Sequence, residues 1–268
     1  MRRTYLYAAM TEDAAERRRW TFYEAVKTEN LYYGRQSKIK NRSDQKPNQK
    51  PKLTGLKKSG INIILLHNLR ISLMARTVSL NRKTSETQIS LRINFDGKGQ
   101  AEIDTGVPFF NHMLELMAKH GFFDLGLKAR GDLDVDFHHS IEDIGIILGG
   151  AIKKGLDTKK GIRRYGFASV PMDETLAQVT IDICNRSHLV YKLPVARGKI
   201  GSFDIEVVKE FFQAVCNSAG ITVHINVPYG SNRHHIVEAV FKAFGRALCD
   251  AVTLDPRVHG VLSTKGVL

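Results

Sequence analysis

The sequence predicts an α+β protein built from two copies of one strand–helix unit, and three observations carry that prediction. Stretches alternating apolar and polar residues, the period of a half-buried strand, keep giving way to apolar residues at helical spacing. A histidine-pair motif occurs twice, as HHSIED at residues 138–143 and HHIVEA at residues 234–239, 96 residues apart in a chain with ten histidines. An Glu-Thr dipeptide, Glu86-Thr87 and Glu174-Thr175, opens each half ahead of its strands. Duplication of one unit accounts for all three.

The elements follow in order. Residues 1–73 include KIKNRSDQKPNQKPKLTGLKKSG, polar and punctuated by Pro and Gly, which is expected to be disordered. Within that quarter, residues 12–27 suit a short helix and residues 61–73 form an isolated apolar piece. At Met74 the text changes character, and Met74 is a candidate translation start. Ile89, Leu91, Ile93 and Phe95 alternate with polar residues and end in a glycine turn, as a half-buried strand does. PFFNHMLELMAKH, residues 108–120, carries helical spacing. Residues 125–135 suit a strand, with Asp132, Asp134 and Asp136 on its solvent face. An apolar helix is expected over 140–156. The second half repeats this as a strand over 175–183, a helix over 204–219, a strand over 221–227 and a helix over 235–252. The folded domain is thus expected over 74–268, with repeats at about 76–170 and 171–268.

Composition narrows the function classes. The net charge is +13, but residues 1–73 hold 16 Lys and Arg against 6 Asp and Glu, leaving 24 against 21 in residues 74–268. The basicity belongs to the tail, which argues against specific nucleic-acid binding by the folded part. Cys184, Cys216 and Cys249 are far apart, lack CxxC spacing and sit in apolar runs, as reduced thiols of a cytoplasmic protein would. No apolar run is long enough to span a bilayer, and no secretory signal is evident.

The repeated HHxxE carries the chemistry. His138 lies four residues and His139 three from Glu142, so either imidazole can share a helix face with the carboxylate, while adjacent histidines point about 100° apart. Two copies offer four imidazoles and two carboxylates, a set suited to two divalent ions such as Mn, Zn or Fe. His112 precedes the first pair by 26 residues and Glu210 the second by 24, both in phenylalanine-flanked helices. Arg163, Arg164, Arg186 and Lys242 are candidates for an anion pocket, and STKG at residues 263–266 for a phosphate cradle. His188, His224 and His259 have no partner spacing and read as structural.

GVPFFNHMLELMAKHGFFDL, DFHHSIEDIGIILG, MDETLAQVTIDICNR, HHIVEAVFKAFGRAL and STKGVL together resemble the imidazoleglycerol-phosphate dehydratase family over residues 76–268. The resemblance implies an internally duplicated fold of the ribosomal protein S5 domain 2-like kind, a 24-subunit homo-oligomer with sites between subunits, and two Mn2+ per site, with other divalent metals possible. It implies metal ligands at His112, His138, His139, Glu142, Glu210, His234, His235 and Glu238. The phosphorylated imidazole substrate would meet Glu86, His112, His120, Arg164, Arg186, Lys242, Ser263, Thr264 and Lys265, with Glu86, Asp173 and Glu174 as catalytic carboxylates. The implied reaction, in histidine biosynthesis, dehydrates imidazoleglycerol phosphate to imidazoleacetol phosphate with the ring held as imidazolate. A dinuclear phosphate-ester hydrolase is the alternative. Glu210 departs from the histidine many members carry, Leu262 from a proline and Asn111 from an aspartate.

Overall fold

The computed structural model describes residues 76–268. The expected disordered segment, the helix at 12–27, the apolar piece at 61–73 and the start at Met74 lie outside the described residues.

The first half runs β1 (Thr77–Lys83), β2 (Thr87–Asn94), β3 (Ala101–Asp104), α1 (Pro108–Gly121), β4 (Asp124–Gly131) and α2 (His138–Leu156). The second runs β5 (Tyr165–Met172), β6 (Thr175–Asp182), β7 (His188–Lys192), the short strands β8 (Lys199–Ile200) and β9 (Phe203–Asp204), α3 (Glu206–Ala219), β10 (Thr222–Tyr229) and α4 (Arg233–Val252). The sheets are ordered β1-β2-β4-β3 and β5-β6-β10-β7, and β8 pairs with β9 in a separate ribbon. In each sheet the second strand runs antiparallel to the third in that order, which runs parallel to the last. The halves are therefore topological copies. Because β5 is the counterpart of β1, the join falls between Leu156 and Tyr165, ahead of the dipeptide that suggested residue 171.

The local sequence accounts for the elements. β2 alternates strictly between core and solvent. Pro108 opens α1, where a missing N–H costs nothing. The four helices lie between the sheets: α2 rests on β1 and β2, α1 on β3 and β4, and α4 on β5 and β6. Within that layer the pairing crosses between halves, α1 with α4 and α2 with α3. Phe110 of α1, Phe211 of α3 and Phe241 of α4 meet at its centre, with ring centroids 5.3 to 6.1 Å apart. All three are fully buried, each contributing roughly 1.5–3 kcal/mol.

Two glycines set the helix approach. A Cβ on Gly245 of α4 would strike the Met117 carbonyl of α1, and one on Gly149 of α2 the Val215 carbonyl of α3. Gly245 is eleven residues past His234 and Met117 five past His112; Gly149 is eleven past His138 and Val215 five past Glu210. In sequence, Glu210 is thus offset from its helix contact as His112 is, and His138 as His234 is.

Three expectations change. β4 stops at Gly131, and residues 132–135 form a turn closed by Val135 N–H on the Asp132 carbonyl at 2.9 Å. Asp132 and Asp136 thus leave the strand's solvent face, because their carboxylates accept hydrogen bonds from the helix that follows. α3 starts at Glu206 rather than residue 204, since Asp204 pairs in β9 and its carboxylate accepts the Glu206 N–H at 3.0 Å. Cys184 and Cys216 are buried free thiols, whereas Cys249 is half-buried.

Candidate active site

Crossed helix pairing brings ligand-type residues from both halves together. His112 of α1 and His234 and Glu238 of α4 present one donor atom each within 4.8 Å of one another. His234 Nε2 is 3.1 Å and His112 Nε2 3.8 Å from Glu238 Oε2. Asn232 accepts the His234 N–H at 2.9 Å and caps α4, and Phe109 sets its ring edge against the His234 imidazole. Lys242 Nζ donates to Glu238 Oε1 at 2.5 Å, one helical turn on. Burial pushes the Glu238 carboxyl up, but the Lys242 hydrogen bond and charge hold it below the ordinary value. Glu238 is therefore an anion. Two imidazoles and a carboxylate suit a divalent ion of intermediate hardness, so the donor set fits the expected metal.

The other histidine–glutamate pair sits on α2. His138 Nε2 is 3.6 Å from Glu142 Oε2, and Asp136 accepts the His138 N–H at 2.7 Å. Glu142 has no lysine partner there, because Ile146 occupies the position matching Lys242.

The second histidine of each pair points elsewhere, as 100° per residue requires. His139 Nδ1 lies 2.9 Å from Asp132 Oδ2 and 3.9 Å from Glu86 Oε2. The Asp132 hydrogen bond holds His139 above the ordinary histidine value. His235 Nδ1 lies 2.7 Å from Glu174 Oε2 and its Nε2 3.7 Å from Asp173 Oδ2, and the Glu174 bond raises it likewise. Each arrangement engages Nδ1 with a carboxylate and turns Nε2 away from that bond. Glu174 also accepts the Ser231 and Asn232 N–H groups at 3.1 and 2.8 Å. The His235 and Asn232 bonds hold its carboxyl far below the usual range. Among the described residues, no hydrogen bond engages the Glu86 carboxylate.

The anion-binding candidates gather at another corner. Arg164, at φ 70°, clasps Asp182 through Nε at 2.7 Å and donates to the Leu262 carbonyl at 2.8 Å. Arg186 is exposed, 3.7 Å from the same Asp182. Ser263 Oγ accepts the Lys265 N–H at 3.2 Å, and Thr264 is exposed beside them. Lys242 is not part of this corner. The Arg164 N–H bonds the Ala251 carbonyl near the C-terminus of α4, while His234 stands near its N-terminus, about 25 Å away at 1.5 Å per residue. His120 of α1 lies between these ends, held below the ordinary histidine value by burial and then by the Lys242 and Arg246 charges. Asn111 turns to Thr105, whose hydroxyl it accepts at 2.5 Å.

Sequence reasoning missed Asp132, although its spacing in DLDVDFHH, seven residues before His139, is visible in hindsight. Of the eight expected ligands the structure gathers His112, His234 and Glu238, and the remaining ones close no such group within one chain among the described residues.

Comparison with known proteins agrees with this architecture. The imidazoleglycerol-phosphate dehydratase family model matches residues 105–248. The chain is 58% identical over 195 residues to the imidazoleglycerol-phosphate dehydratase of Geobacter metallireducens, covering 73% of this chain and 100% of that one. The enzyme of the same name from Shouchella clausii is 57% identical over the same shares. The crystal structure of imidazoleglycerol-phosphate dehydratase from Staphylococcus aureus superposes with a TM-score of 0.61 at 41% identity, covering 67% of this chain and 99% of that one. That from Pyrococcus furiosus gives 0.61 at 36%, covering 70% and 100%. The chain belongs to the imidazoleglycerol-phosphate dehydratase family and is an enzyme of the dehydratase class.

Proposed function

We propose that this protein dehydrates imidazoleglycerol phosphate to imidazoleacetol phosphate in histidine biosynthesis, using divalent metal, with Mn2+ the first choice. The observation that carries the reading is the His112, His234 and Glu238 group, assembled from both halves of a fold shared with named dehydratases. Its counterpart at Glu210, His138 and Glu142, with His139 and His235 aimed outward, completes a donor set for two ions. A bound divalent ion supplies Lewis acidity that makes the substrate's imidazole ring an electron sink.

The chain's own residues do the proton work. The carbon-bound proton passes to Glu86, whose carboxylate stands half-exposed 3.9 Å from His139. Glu174 is the weaker candidate, because a carboxylate depressed far below its usual value is a poor base. It orients His235 instead. The departing hydroxyl takes a proton from Asp173, exposed at the tip of the β5–β6 turn, or from a site histidine. Water leaves, and the enol becomes the ketone. Arg164, Arg186, Ser263, Thr264 and Lys265 bind the phosphate, with Lys242 and His120 nearer the metal group.

One chain cannot seat the substrate by itself. Ring and phosphate are only about 8 Å apart at ~1.5 Å per bond, against the roughly 25 Å between the metal group and the Arg164 corner. A second copy would bring one to the other, which supports a homo-oligomer with shared sites, as in a 24-subunit shell, and we place it in the cytoplasm. Among the described residues no helix is long and apolar enough to cross a membrane.

The test is to incubate metal-loaded protein with imidazoleglycerol phosphate. The ketone should accumulate without inorganic phosphate, and His139→Ala and His235→Ala should lose both metal and turnover. Phosphate release would mark the hydrolase alternative, and full activity after exhaustive chelation would end the metal reading.

A further inference from the structure

Beneath the turn that carries Glu86 lies a buried polar relay that the second half of the molecule lacks. Asp143, 7% exposed, meets the Arg82 guanidinium at 2.7 Å through Oδ1 and the Thr87 hydroxyl at 2.5 Å through Oδ2. An ionised carboxylate only accepts, so Thr87 must donate to it. The Thr87 oxygen is then free to accept from the Thr84 hydroxyl, 3.2 Å away. Thr84 Oγ1 in turn accepts the main-chain N–H groups of Glu86 and Thr87 at 3.1 and 2.9 Å. The relay starts on the residue after Glu142 and ends on the backbone of Glu86.

The other half serves as an internal control. Matching the motifs, Asp143 corresponds to Ala239, Thr87 to Thr175, and Arg82, five residues before Thr87, to Val170. The same site is apolar there, and the Thr175 hydroxyl turns to Glu174 at 3.3 Å. The fold is thus built equally well without the ion pair. A buried pair adds little stability over packed apolar side chains, and Arg82 Nε is itself buried without a partner. Its effect is geometric.

We infer that Asp143, with Arg82 and Thr87, is a positioning device for Glu86. It fastens the 84–87 turn to the second turn of α2 through the backbone, so the Glu86 carboxylate stands beside His139 without a hydrogen bond of its own. Glu174, by contrast, is held by its carboxylate, which His235, Ser231 and Asn232 engage. The inference rests on Glu86 being the proton acceptor.

The experiment writes the second half's residues into the first. In the full-length, metal-loaded protein, Arg82→Val with Asp143→Ala leaves no unpaired charge. Metal content and Tm should match the parent. The kcat should fall by about 10²-fold, the scale of a misplaced catalytic group, at unchanged KM. Amide exchange at the Glu86 and Thr87 N–H groups should rise at least about tenfold, a change of ~1.4 kcal/mol in protection. Asp143→Asn, which still accepts from Thr87, should restore part of the rate. If the double variant fails to fold, Thr87→Val cuts the relay alone and should show the same loss. A kcat within about twofold of the parent with unchanged amide exchange, in either variant, overturns the inference. An inactive parent would sink the dehydratase reading instead, while the exchange measurement would still report on the turn.

Discussion

The two halves share topology, helix offsets and a histidine pair, yet they treat their equivalent glutamates in opposite ways. In the second half Glu174 orients His235 and closes the loop ahead of α4. In the first half Asp132 orients His139, and Glu86 is spared. One additional carboxylate, on a turn the other copy does not use in this way, separates a hydrogen-bonded glutamate from an unbonded one. Duplication thus supplies a symmetric frame of imidazoles and carboxylates, and the proposed chemistry draws on the place where the symmetry fails.

The sharpest way to break this comparison is to neutralise each glutamate in turn. Glu86→Gln should lower kcat by ~10²–10⁴-fold while retaining metal, the range for loss of a general base. Glu174→Gln should instead weaken metal binding by about 10–100-fold, as loss of a ligand's orienting partner does. Metal titration alongside steady-state kinetics checks both, and equal effects would erase the distinction.

A smaller effect probes the symmetry that remains. Gly149→Ala and Gly245→Ala each drive a methyl into a carbonyl of the facing helix. Each should cost roughly 1–3 kcal/mol, lowering Tm by about 2–4 °C per kcal/mol for a domain of this size. Similar losses at both positions would show that the two crossed helix pairs are energetically alike.

The smallest effect is in pH. In chelated protein, the raised His235 and depressed Glu174 form a pair that stabilises the folded state while both are charged. The histidine's share is fully present below its unfolded value of about 6.5 and is lost as pH rises through its raised folded value. Melting temperature should therefore slope downward above about pH 6.5, and Glu174→Gln should flatten that slope. The carboxylate's share disappears only in strong acid.

Much of this was legible in advance because its signals are local. Alternation gave β2, helical spacing gave α1 and α4, and repetition of HHxxE gave the duplication and the ligand candidates. The aspartates of DLDVDFHH misled, since turn residues at alternate positions imitate a strand face until their capping partners are known. The short strands β3, β7, β8 and β9 carry too few residues for a period to emerge.

By itself the sequence determined which residue types recur together, hence two strand–helix halves and a pair of imidazole–carboxylate helix starts. Only the tertiary structure decided which histidine meets which carboxylate, that α1 pairs with α4 rather than α2, and that Glu86 is left unbonded while Glu174 is consumed. Period and composition act within a turn or two of the chain. Partnership between residues sixty or more positions apart is set by how glycine-lined helices close on one another, and that exists only once the halves have packed.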